Sequence, residues 1–99
     1  MEKSRIDYKQ AYIYELWSNI DGVERKYSIL KSYNTIIAIF NHDKTNEIYK
    51  NSKYYSVTTS RHYNCFLNNL GYSPEITIEM EPEKIDRMFY DLQNTEVEE

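Results

Sequence analysis

Apolar residues recur with a period of two, or in unbroken runs, from Ala11 to about Asn51, and three to four apart from Tyr63 onward. Strands are therefore expected first, and helices after them. The opening residues, 1–10, are polar and read as loose. Tyr12-Ile13-Tyr14-Glu15-Leu16-Trp17 admits two periods: its β-forming residues suit a strand, while Ile13, Leu16, Trp17 and Ile20 share a helical face. Asp21-Gly22 favours the strand, because that dipeptide is the usual two-residue hairpin turn and Val23 to Lys31 alternates well enough to return antiparallel. After Ser32-Tyr33-Asn34-Thr35, a tight turn or bulge, Ile36-Ile37-Ala38-Ile39-Phe40 is apolar without a break, as in a central strand covered on both faces. Asn41 to Asn46 is turn chemistry, and Glu47 to Asn51 reads as a short strand pairing back on the central one.

Such a meander has a face to close. Tyr63, Phe66, Leu67 and Leu70 fall at i, i+3, i+4 and i+7, which predicts a helix from about Thr58 to Leu70 with Ser56 or Thr58 as N-cap and Gly71 as its stop. Glu75 to Glu79 alternates as an edge strand, and Pro82 opens a second helix with Ile85, Met88, Phe89 and Leu92 turned inward. Residues 94–99 are expected to fray. The fold class is α+β: a small antiparallel β-meander packed by one main helix, with a second, C-terminal helix, in a single domain of 99 residues.

Composition narrows the chemistry. Tyr 11 against Phe 3 and Trp 1 means that packing surfaces are built from rings whose hydroxyls need water or a partner. Cys65 is alone, so neither an intramolecular disulfide nor a cysteine-based zinc site is available within the chain. With no signal-like apolar start and no run approaching the ~20 residues of a membrane span, the expectation is a soluble protein of the bacterial host cytoplasm. Gly22 and Gly71 are the only glycines, which excludes a Gly-rich phosphate loop, and no cofactor is expected. Charge is split along the chain. Residues 1–74 hold ten Lys/Arg against seven Asp/Glu, and the acidic C-terminal third, 75–99, holds two against nine. That third could repel nucleic acid or offer a phosphate-like row to a basic groove.

Catalytic readings are weak. His42 sits in a turn beside Asp43, and His62 and Cys65 are three apart on one helix, but a nucleophile would need an orienting group and an oxyanion site that nothing here announces. The expected protein is not an enzyme and has no metal site. The densest polar chemistry is at the helix entry, where Thr58, Thr59, Ser60, Arg61 and His62 either cap the helix or, with its first amides, hold an anion, and Tyr54, Tyr55 and Tyr63 offer stacking surfaces.

Two segments, Leu30 to Ala38 with its Ser32-Tyr33-Asn34-Thr35, and Tyr55-Ser56-Val57-Thr58-Thr59-Ser60-Arg61-His62, resemble a family of small domains of unknown function from bacteriophages and mobile elements. The resemblance covers roughly Tyr27 to Leu70, with Ile37 where the family tends to carry valine. It implies a phage-like source and a fold core, and no activity. Together with the acidic third it suggests an anti-CRISPR-like inhibitor of host defence. The expected partner is a host protein, a nucleic-acid-targeting nuclease complex, contacted through Glu75, Glu79, Glu83 and Asp86, with Tyr12 and Tyr14 as further contacts. The competing expectation is a nucleic-acid or nucleotide-binding module that uses the tyrosines and the Thr58–His62 helix entry; a pI of about 5.2 argues against it.

Overall fold

A computed structural model describes residues 1–7, 10–53 and 56–97. Its elements are β1 (Glu2–Asp7), β2 (Ala11–Ile20), β3 (Val23–Ser32), β4 (Thr35–Asn41), β5 (Glu47–Asn51), α1 (Val57–Leu70), β6 (Ile76–Met80) and α2 (Pro82–Asn94). The six strands form one sheet in chain order. β1 to β5 are an antiparallel meander, and α1 carries the chain over to β6, which runs parallel to β5. The fold is α+β, as the sequence periods imply.

Turn residues set the register. Asp21 and Gly22 take φ of 54° and 79°, the pair of left-handed conformations a two-residue hairpin needs, and β2 and β3 pair without interruption from Ile20↔Val23 to Ala11↔Ser32. In β4 the pairing passes from Leu30↔Ala38 to Lys31↔Ile36, leaving Ile37 as a bulged residue. A bulge turns two neighbours to the same side. Ile37 and Ala38 accordingly join one core cluster, while Ile36 and Ile39 join the other.

Those clusters lie on the two faces of the sheet. α1 covers Ile13, Leu30, Ile37, Ala38, Phe40 and Ile48 with Phe66, flanked by Tyr63, Leu67 and Leu70. α2 covers Leu16, Tyr27, Ile29, Ile36 and Ile39 with Ile85 and Leu92, flanked by Met88 and Phe89. The unbroken Ile36–Phe40 run is buried throughout because it is sandwiched between the helices.

Among the described residues, both ends expected to be loose carry pairing. Glu2–Asp7 pairs with β2 as β1 despite its polar residues, because a sheet edge leaves side chains such as those of Glu2 to Arg5 in water. β1 reaches only to Glu15, so the far half of β2 has a free edge, and the chain after α2 takes it. Val97 N–H donates to Trp17 C=O at 2.7 Å, Asn19 N–H donates to Thr95 C=O at 2.8 Å, and Ser18 pairs with Glu96. The terminal amine of Met1 meets the Glu96 carboxylate where the two edge pieces abut. Fraying therefore does not begin at Asn94.

Candidate functional site

The two segments that carry the family resemblance meet in space. Ser32 closes β3 on the α1 side, and its Oγ is 2.7 Å from Nδ1 of His62, both residues being buried. Tyr33 follows at a φ of 54°, a left-handed conformation that costs a non-glycine residue about 1–2 kcal/mol. Its N–H donates to Gln10 C=O at 2.9 Å, and its ring lies 6.1 Å from that of His62. The β3–β4 turn is thus clamped between the β1–β2 connection and the first half of α1.

Helical geometry divides the cluster at the start of α1. Ser56 is the N-cap, accepting from Thr59 N–H at 3.0 Å and donating to Thr59 Oγ1 at 2.8 Å. Thr59 and His62 are buried, three residues apart on the sheet-facing side, with Phe66 one turn further. Ser60 and Arg61 are exposed and Thr58 is half-buried. The five residues therefore do not present one surface to an anion. Tyr54 and Tyr55 lie outside the described residues. Tyr63 is half-buried, with Lys50 Nζ 4.4 Å from its ring centroid; burial pushes its phenol above the ordinary 10.0, against the pull of a hydrogen bond with Thr77.

His42 occupies the other end of the α1 side. Its Nε2 is 2.8 Å from Ser28 Oγ, and its ring meets Phe40 edge-on at 5.0 Å and Tyr72 at 6.1 Å. Burial lowers its basicity below the ordinary 6.5, and Lys26 adds to that against Glu15 and Asp43. Ser28 is fully buried in mid-strand and His42 is half-buried, so the pair ties the turn after β4 to the core.

The acidic residues gather at the opposite edge. β6 is the last strand of the sheet, and Glu75, Glu79, Glu81, Glu83 and Asp86 are exposed around it. Ile76 donates to Asn46 C=O and Met80 accepts from Ser52 N–H, so by the alternation of a parallel ladder Thr77 and Glu79 turn their backbone groups outward. Glu79 pairs in register with Lys50, next to which Ile48 faces α1, whereas Glu83 and Asp86 stand on α2 across the sheet. The carboxylates thus wrap both sides of the edge.

Tyr12 and Tyr14 lie on β2, four strands from β6, or roughly 20 Å at ~4.8 Å per strand. They share the α2 side with Lys3, Arg5 and Lys31. Lys3 Nζ is 4.1 Å from the Tyr12 ring centroid, and Tyr14 rests beside Phe89 at 5.8 Å. This is a basic surface, separate from the acidic edge and on the opposite face from Thr58–His62. Sequence reasoning gave no sign of the Ser32–His62 bond, although both residues stood in the quoted motifs.

Among the described residues no group of three or more His, Cys, Asp or Glu is placed to hold a metal, and no helix is long and apolar enough to cross a membrane. The site and fold define a small α+β domain with a motif-bearing helix junction on one side and an acidic sheet edge on the other. The chain belongs to a family of unknown function, DUF8033, which matches residues 1–84 and so takes in every strand, α1 and the first residues of α2. No curated protein and no solved structure matches it.

Proposed function

We propose that this protein acts by binding, without catalysis, and that its acidic edge at β6 and the start of α2 occupies a basic groove on a partner protein. The observation that carries the reading is the exposure of Glu75, Glu79, Glu81, Glu83 and Asp86 around an open strand edge, with Lys84 the one cation between residues 75 and 86. Carboxylates spaced along an edge mimic a phosphate row, and their field speeds encounter with a basic groove. The resemblance to phage and mobile-element domains supports, as the partner in this proposal, a host nuclease complex that handles nucleic acid, with the protein as an anti-CRISPR-like inhibitor in the host cytoplasm. Tyr12 and Tyr14, set among cations, belong to a different contact from the acidic row.

The test is capture of such a complex on the tagged protein. The reading requires that added target nucleic acid release the complex, and that Glu75→Lys, Glu79→Lys and Asp86→Lys together abolish capture while the melting temperature stays within a few degrees, since exposed charges contribute little to folding. Capture that survives the triple reversal would refute the acidic edge as the contact. Nucleic acid retained on the protein itself through moderate salt would favour direct nucleic-acid binding by the Tyr12–Tyr14 face.

A further inference from the structure

Each helix leaves one corner of the sheet bare, and the corner on the α1 side holds Trp17. It is the chain's one tryptophan and is 51% exposed. In register it stands opposite Lys26, with Glu15 two residues away on its own strand and with Glu24 of β3 and Glu2 of β1 on its two diagonals. Met1, Glu96 and Val97, with Leu16, Gln93 and Asn94 from the α2 side, complete the lining of a groove of about 1030 Å³ that runs from this surface round the sheet edge. The two cations here are engaged: Lys26 Nζ is 3.5 Å from Glu15, and the Met1 amine meets Glu96. Among the described residues Glu2 and Glu24 have no ion-pair partner.

We infer that this groove receives an arginine side chain of a protein partner, its guanidinium stacked on the Trp17 indole and bonded to the carboxylates of Glu2 and Glu24. An exposed indole flanked by unmatched carboxylates attracts a cation through both the ring quadrupole and the charges. Arginine suits it better than lysine because its planar head stacks on the ring while its fork meets a carboxylate. Phosphate-bearing ligands are repelled by the same charges. The surface is distinct from the β6 edge and does not depend on it.

Trp17 is also the reporter, since no other indole contributes to emission. A blocked Gly-Arg-Gly-Arg-Gly peptide, titrated to about 1 mM at low salt, is expected to change Trp17 emission saturably, the lysine version more weakly and the glutamine version not at all. Glu2→Gln with Glu24→Gln should weaken the arginine peptide at least tenfold, as should Trp17→Ala read by calorimetry, with circular dichroism confirming the fold of each variant. The triple reversal of Glu75, Glu79 and Asp86 should leave the Trp17 response unchanged. The inference is overturned by a glutamine peptide that binds as well, by an affinity indifferent to Glu2 and Glu24, or by absence of saturation. Loss of the response in the triple reversal would overturn it too, as would emission that shifts with protein concentration alone, which would place a second copy in the groove.

Discussion

α1 meets the sheet through Thr59, His62 and Phe66, two of them polar, whereas α2 meets it through Ile85 and Leu92, flanked by Met88 and Phe89. α1 is capped at both ends, by Ser56 and by Gly71 in the left-handed conformation, while α2 begins on Pro82 with no side-chain cap and Glu83 in its first turn. A buried hydrogen bond such as Ser32–His62 fixes position along and around the helix, which an apolar stripe of adaptable Met and Leu does more loosely. The difference matters for function. α1 is committed to the fold by its most distinctive residues, and α2 keeps its charged residues in water.

Single substitutions can break or sharpen this contrast. Phe66→Ala should destabilise by about 3–5 kcal/mol and Leu92→Ala by about 2–5 kcal/mol in urea denaturation, because both are buried core side chains. Leu67, only partly buried beside the same cluster, should lose less than Phe66 when cut to Ala. Ser32→Ala takes the oxygen partner from a buried ring nitrogen and should cost about 1–3 kcal/mol, where no single polar truncation on α2 should do so. Ser56→Ala should cost about 1 kcal/mol. The smallest effect is at His42. Its folded-state basicity is lowered, so as pH falls below 6.5 the unfolded chain takes up a proton that the fold resists, and stability declines; well above 6.5 the ring is neutral in both states and adds no pH dependence. His42→Gln should flatten that part of the melting-temperature profile, and an unchanged slope would remove His42 as its source.

The strands between Ala11 and Asn51 and both helices were legible because each has a local signature: the Asp21-Gly22 turn, the Ile36–Phe40 run, and apolar spacings of three and four. β1 was not, since an exposed edge strand needs no apolar face. The pairing of residues 95–97 with β2, and the parallel match of β6 to β5, depend on partners distant in sequence, which periodicity does not encode. At the helix entry the motif was visible but its orientation was not. The stripe drawn through Tyr63, Phe66, Leu67 and Leu70 is offset from the buried line Thr59–His62–Phe66, because a histidine read as a surface donor is instead held inside by Ser32. Glu75, Glu79, Glu83 and Asp86 were legible as an acidic run, and only the fold shows them wrapping two sides of one edge.

The most direct test of the acidic edge is the association rate with the purified partner complex measured against ionic strength. Contact through several carboxylates predicts a rate that falls by about a decade or more between low and physiological salt, and a slope that nearly vanishes when Glu75, Glu79 and Asp86 are reversed to Lys. A parent rate indifferent to salt, or a reversed variant with the parent's slope, would contradict the account.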